Sequence, residues 1–254
     1  KLTLIGFSAY PRAYEFAKLC RLAHESGSLV LADIAHINGL VAAELHDSPF
    51  KSDGDGADFV SMTTHKTMRG PRGAMLFAKQ EYMGQINKTV FPGTSGGPHV
   101  HQIAATGQAL LEILGEDMYP DKKSFQDYSH AVLDNAQALE NGAVQAGLSI
   151  VSPTQTHLSL FRLPEDVDSL ELQQKLEGLG IILNRNMIPN DQKSAWRPSG
   201  LRVGSAALTS RGLNSDQATS LGKLIGDITF GKVSDDQARV QVKELLSQLA
   251  WWYT

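Results

Sequence analysis

KLTLIGFSAYPRAYEFAKLCRLAHESGSLVLAD, residues 1–33, decides the fold. Residues 2–7 are an apolar run of the length of a buried strand, and Ser8, Tyr10 and Pro11 interrupt it where a strand-to-helix turn would lie. From Ala13 to His24 the apolar positions Tyr14, Ala17, Leu19, Leu22 and Ala23 approximate one helical face, and Gly27 is a stop signal. SLVLAD, residues 28–33, reads as a second buried strand that ends in a carboxylate. The order is β-α-β, the unit of a parallel sheet.

Working outward, ADFVSMTTHKTMRGPRG at 57–73 begins as a third strand over 57–62 and hands over to two threonines, His65, Lys66 and a loop with two arginines and two glycines. GAMLFAK at 73–79 reads as a fourth strand, and the polar, turn-rich 44–56 as a surface loop. Ligands of open α/β sheets bind outside the carboxyl ends of the strands, which is where Asp33, His36 and Lys66 fall. A strand-end lysine can form a Schiff base when partial burial and nearby cations free its amine; the alternative is an exposed surface lysine. For Asp33 the alternative is a helix cap or a turn. In FPGTSGGPHVHQIAA, residues 91–105, Gly96 and Gly97 place backbone N–H groups beside a helix start near Pro98, an arrangement that suits an anion but also serves a plain turn. Helices are predicted from there to about Gly115 and from Ser124 to Gln145.

A change of character near Leu148 divides the chain into 1–145 and 146–254. The second part holds LSIVS, THLSLFRL, a helix near 168–178 and GIIL, which reads as a small α/β domain. SGLRVGSAALTSRG at 199–212 puts Arg202 in a short strand ahead of a turn, where a guanidinium fork can take a carboxylate, or where it can be merely structural. From Ser215 two amphipathic helices are predicted. The closing Trp251, Trp252 and Tyr253 are read as packing or interface residues.

Composition narrows the classes. With 42% hydrophobic and 20% charged residues, a net charge of −4 and no Lys/Arg-rich block, the 254-residue chain has the balance of a soluble globular protein without a nucleic-acid footprint. No apolar run reaches the length of a membrane span, and no targeting segment is visible. Cys20 is the sole cysteine, which rules out an intrachain disulfide and points to a reducing, cytoplasmic setting. Metal-ligand spacing is absent. The chain starts at Lys1 with a strand already under way, so a fragment that begins within a domain is expected.

The strand ends together supply Asp33, His36, Thr63, Thr64, His65 and Lys66. An amine for a Schiff base, a carboxylate to keep a pyridinium nitrogen protonated and a flat ring to stack are the minimal parts for pyridoxal 5'-phosphate. GFSAYPR at 6–12, ADIAHINGLVAA at 32–43, TTHKTMRGPRG at 63–73, FPGTSGGPH at 91–99, LNRNMIPND at 183–191 and SGLRVG at 199–204 carry the next step. In these segments, which keep the family's order, the chain resembles serine hydroxymethyltransferase across essentially its whole length.

The resemblance implies a fold-type-I pyridoxal-phosphate fold: the second half of a large, mainly parallel-sheet domain followed by a small C-terminal domain. It implies that Lys66 carries the cofactor and yields it to the substrate amine, that Asp33 pairs with the ring nitrogen and that His36 stacks on the ring. Ser8 matches a serine near the phenolic oxygen, Thr63, His65 and Arg72 match polar residues around the Schiff base, and Gly96 and Gly97 match a loop that reaches the neighbouring subunit's cofactor phosphate. Arg202 matches the substrate-carboxylate arginine, while Asn186, Ser194 and Trp196 fall at the contacts to tetrahydrofolate, the cosubstrate. A cytoplasmic homodimer that interconverts serine and glycine is therefore implied. The departures are GSAA at 204–207 for the family's GTPA, Thr94 and Ser95 for its Leu-Gln, and Trp196 for its phenylalanine. The family's long N-terminal segment, with the main phosphate loop and a second ring-stacking histidine, has no counterpart here, and the isolated chain is expected to be poorly soluble. Two other readings use the same residues: a folate-independent aldolase of β-hydroxy amino acids, and a non-catalytic chain that acts as an oligomerisation partner.

Overall fold

The computed structural model describes residues 1–51, 56–116 and 124–249. Trp251, Trp252 and Tyr253 lie outside the described residues, as does part of the polar loop read over 44–56. Two compact units form: Lys1–Ser8 with Ala13–Ser129, and Ala9–Arg12 with the chain from His130.

In the first unit β1 (Leu2–Ile5), α1 (Phe16–Glu25), β2 (Leu29–Asp33), α2 (Asn38–Ala42), β3 (Phe59–Thr63) and β4 (Ala74–Ala78) follow in order. The sheet runs β1-β2-β3-β4. The first three strands are parallel, with Ile5 opposite Ala32 and Asp33 opposite Ser61, while β4 returns antiparallel to β3. The predicted parallel unit is thus present, and the fourth strand makes the sheet mixed, because the short 64–73 loop permits only a hairpin-like return. α1 buries Phe16, Cys20 and Ala23 at helical spacing against Ile5, Val30, Ala32 and Val60. Its first turn is capped from a distance, the Phe16 N–H donating to Asp47 Oδ2 at 2.6 Å. On the opposite side of the strands Leu2 and Leu4 stay 57% and 64% exposed, so that face is open in this chain.

After β4 come α3 (Gln80–Lys88), a wound turn over Thr89–Thr94 and α4 (Val100–Leu114). α3 buries no side chain and α4 buries only Ala109. Val90, Phe91, Val100, Ile103 and Leu114 are exposed.

α5 (Phe125–Gln145) spans the boundary between the units. The second unit continues with β5 (Ser149–Ile150), β6 (Leu158–Arg162), α6 (Ser169–Gly178), β7 (Asn184–Asn186), β8 (Gly200–Gly204), α7 (Ala206–Ser210), α8 (Ser215–Thr229) and α9 (Asp235–Ser247). Its antiparallel sheet has the order β5-β6-β8-β7. GIIL at 180–183 is not the predicted strand. Ile181 and Leu183 enter the core from backbone outside the sheet, the Ile181 N–H donating to the Leu176 carbonyl, Ile182 is 85% exposed, and strand pairing starts only at Asn184. Asp168 caps α6, and capping boxes Asn214–Gln217 and Ser234–Gln237 open α8 and α9, as the predicted tail helices require.

Asp58 ties the amino end of the first sheet together. Its side chain is buried, Oδ2 accepts from the Val30 N–H at 2.7 Å and meets His24 Nε2 at 3.0 Å, and Oδ1 accepts from Lys79 Nζ at 2.5 Å. Burial pushes this carboxyl up, but the hydrogen bonds from Lys79, His24 and Val30 outweigh it and hold it below the usual carboxylate range. A depressed folded-state value means the stabilisation is complete above the unfolded value of about 3.9 and is lost as pH falls through the folded one. Asp58→Ala is expected to lower the unfolding free energy at pH 7 by about 2 kcal/mol in urea titrations, with the difference from wild type shrinking as the pH is taken below about 4.

Candidate active site

The carboxyl ends of β1, β2 and β3 lie side by side, and the candidate site consists of residues at and just past them. Gly6 follows β1. A Cβ there would stand 2.5 Å from the Asp33 carbonyl oxygen and 2.7 Å from its Cβ, so this position admits glycine alone without displacing Asp33. Asp33 closes β2 half-buried, with Oδ1 accepting from the Ala35 N–H at 2.9 Å. The Tyr14 ring packs edge-on against Phe7, Phe16 and His46 at 5.2, 5.0 and 4.9 Å. Burial and then the negative Asp33 push its phenol up to about 12, so the phenol near that carboxylate stays neutral. His36, three residues beyond Asp33, is half-buried.

On β3 the Thr63 hydroxyl donates to the Ala35 carbonyl at 3.1 Å, and the chain then turns through His65 and Lys66, both half-buried. The turn is closed from within. The Thr64 N–H donates to the Gly73 carbonyl at 3.0 Å, its hydroxyl to the Pro71 carbonyl at 2.5 Å, and the Gly70 and Arg69 N–H groups to the Thr64 and Lys66 carbonyls at 2.7 and 3.0 Å. Arg69 sits at φ 58°, a left-handed backbone that non-glycine residues adopt rarely. Its guanidinium lies 4.1 Å from the Tyr128 ring centre and 3.6 Å from Glu112. His65 Nδ1 faces the Gly73 N–H at 3.5 Å, while Arg72 is exposed. Ser8 is exposed just past β1, and so are Gly96 and Gly97 between the 89–94 turn and α4.

The remaining predicted residues belong to the second unit. Arg202 is half-buried on β8, and its Nη2 donates to Asn184 Oδ1 at 2.8 Å across the β7–β8 pair, while burial lowers the guanidinium's pKa. Asn186 ends β7, with Nδ2 donating to the Met187 carbonyl at 2.7 Å. Ser194 and Trp196 are exposed on the following loop, Trp196 to 80%. Arg185 Nη1 donates to the Trp196 carbonyl at 2.7 Å. Asp191 holds that loop: it accepts from the N–H groups of Ser199 and Lys193 at 2.8 and 3.0 Å and from the Ser199 hydroxyl at 2.7 Å. Burial raises its pKa, but these donors outweigh burial and bring the carboxyl down to about 2.

Sequence reasoning passed over Gly6, Tyr14, Asn38, Thr67, Arg69, Asn184 and Asp191. The readable signal was a polar Asn38 inside the apolar run IAHINGLVAA. Among the described residues no group of three or more His, Cys, Asp or Glu could hold a metal, and no helix is long and apolar enough to cross a membrane.

This α/β unit carries a half-buried carboxylate, an imidazole and a lysine at adjacent strand ends, the residue types of the candidate site read from the sequence. A model of the serine hydroxymethyltransferase family matches residues 1–225. Curated relatives include serine hydroxymethyltransferase of Myxococcus xanthus, 38% identical over 252 residues, and serine hydroxymethyltransferase 2 of Rhodospirillum rubrum, 42% identical over 256; each alignment covers 98% of this chain and 57% of the relative. That of Desulfotalea psychrophila is 40% identical over 227 residues, covering 89% of this chain and 51% of the relative. The chain belongs to the serine hydroxymethyltransferase family and spans rather more than half the length of these relatives.

Gly6→Ala is expected to force Asp33 and its strand aside, with a loss of about 1–3 kcal/mol in thermal or chemical unfolding. An unchanged midpoint would show that the strand end yields freely.

Proposed function

We propose that this chain forms part of a fold-type-I enzyme that uses pyridoxal 5'-phosphate to interconvert serine and glycine, with tetrahydrofolate as the one-carbon acceptor. The observation that carries the reading is the placement of Asp33 at the carboxyl end of one strand and of Lys66 just past that of its hydrogen-bonded parallel neighbour, in a chain of this family. The residues present fit the cofactor's ring: a half-buried amine, a half-buried acid and an imidazole stand within one short arc of the sheet. When bound, the cofactor supplies a conjugated ring that takes up the electron pair left at the substrate's α-carbon.

Each side chain then has one task. The Lys66 amine would hold the cofactor as a Schiff base. Asp33, fixed by the Ala35 N–H, would keep a proton on the ring nitrogen. His36 offers a flat face, and Ser8, Thr63, His65 and Arg72 offer polar contacts around the reacting end. Arg202, backed by Asn184, takes the amino-acid carboxylate with a geometry that lysine would not reproduce. Asn186, Ser194 and Trp196 receive the folate, on a loop that Asp191 keeps in shape. Gly96 and Gly97 serve a neighbouring subunit's phosphate in a cytoplasmic homodimer, a reading supported by the exposed apolar side chains of Val90, Phe91, Val100, Ile103 and Leu114. The division into 1–145 and 146–254 is proposed as that between the cofactor-binding and small domains.

In the full-length protein carrying this chain, Lys66→Ala is expected to abolish the visible absorbance of the bound cofactor and to lower serine cleavage by at least about a thousandfold. Absorbance retained in this variant would overturn the assignment. Cleavage in the wild type that does not respond to added tetrahydrofolate would favour the folate-independent aldolase instead.

A further inference from the structure

Asn38 and Thr67 are each 2% exposed, and each sits beside a residue of the site: Asn38 opens α2 two positions after His36, and Thr67 follows Lys66 directly. The Asn38 side-chain amide donates to the Thr63 carbonyl at 2.6 Å. Its Oδ1 accepts from the Thr67 hydroxyl at 2.8 Å and from the Gly39 N–H at 3.0 Å. The Thr67 hydroxyl in turn accepts from the same Gly39 N–H at 3.0 Å and lies 3.1 Å from the His36 carbonyl, so its single proton serves either Asn38 or His36. Thr63 adds a tie of its own to the Ala35 carbonyl. Gly39 makes this approach possible, since a Cβ there would stand 2.6 Å from the Thr67 carbonyl carbon.

We propose that Asn38 is a positioning residue for Lys66: by bonding Thr63 on one side of the lysine and Thr67 on the other, it locks both flanks to the segment that carries Asp33 and His36. The inference rests on the reading of Lys66 as the cofactor-bearing amine and goes beyond it by naming what sets that amine's place. A lysine side chain has four rotatable carbons and little shape of its own, so the location of its amine follows from its backbone. Two strands that are parallel neighbours diverge freely past their last ladder bond, and a displacement of about 1 Å at a reacting group is costly to the rate. Asparagine is suited to the task because a single planar group donates to Thr63 and accepts from Thr67 and Gly39 at once. Aspartate has the same shape but, ionised, donates nothing, and would set its charge against the Thr63 carbonyl in a buried place.

The test uses the full-length protein with its cofactor and two readouts: the pH midpoint of the cofactor's visible absorbance, and hydrogen exchange of the Gly39 amide in cofactor-free protein. Asn38→Ala, Asn38→Asp and Thr67→Val are expected to move the midpoint by about one pH unit, and to exchange the Gly39 amide about tenfold faster. Thr67→Ser, which keeps the hydroxyl, is expected to retain both wild-type values. Should the Asn38 variants fail to fold, the Thr67→Val and Thr67→Ser pair decides alone. Faster exchange with a wild-type midpoint would mean that the network is only structural and would overturn the proposal. A wild-type protein that shows no visible absorbance with added cofactor would instead overturn the cofactor reading, and the positioning role with it.

Discussion

The parallel pairing of β2 with β3 is the constraint on which the rest of the first unit depends. Asp33 and Lys66 are thirty-three positions apart in the chain, and only the pairing that sets Leu31 opposite Phe59 and Asp33 opposite Ser61 brings their neighbourhoods to one edge. A slip by one residue would turn the side chains of one strand to the opposite face and carry Val60 out of the core. Two polar devices oppose such a slip. At the amino end Asp58 receives the Val30 N–H on its side chain, donates its own N–H to the Val30 carbonyl and takes the Lys79 N–H on its carbonyl. At the carboxyl end Asn38, Thr63 and Thr67 join the two connecting loops. Hydrophobic packing of Val30, Ala32 and Val60 under α1 supplies most of the driving force, but apolar contact is non-directional. Register needs the hydrogen bonds.

Much of this was legible in the sequence where local and tertiary preferences agree. The β-α-β unit announces itself by two short apolar runs around an amphipathic stretch, and the strand-end placement of Asp33, His36 and Lys66 follows from it. GIIL shows the failure that arises when composition alone is read. Ile181 and Leu183 are apolar because they fill the second unit's core, not because they pair, while the polar Asn184 and Asn186 form the ladder with β8. α3 escaped the sequence reading because its apolar stripe, Tyr82, Met83 and Ile86, is short and only half-buried, and no side chain caps its start.

The site residues that escaped the sequence reading share one physical reason. Asn38 and Thr67 matter through partners that are twenty-five to thirty-one positions away, and Arg69 through Glu112 and Tyr128, which lie farther still. A buried asparagine in an apolar run is costly unless its bonds are met, so its presence signals a network without naming the members. Asp191 is the counterpart in the second unit. Flanked by asparagine and glutamine, it reads as a turn residue, yet its carboxylate gathers three N–H groups and a hydroxyl and gives the exposed Ser194 and Trp196 a defined frame.

These networks explain how one edge can be polar and ordered at once. In the first unit Asp33 is held by the Ala35 N–H and the room left at Gly6, and the Lys66 backbone is held through its flanking threonines; in the second unit Arg202 is held by Asn184. A lysine or arginine held only by its own side chain would spend rotamer entropy, up to about 2 kcal/mol, each time it met a ligand. Fixing the backbone beforehand, with buried bonds formed during folding, removes part of that loss from the binding step. In the first unit the buried Asn38 amide and Thr67 hydroxyl fix the backbone on either side of Lys66, so that a flexible side chain starts from a fixed place.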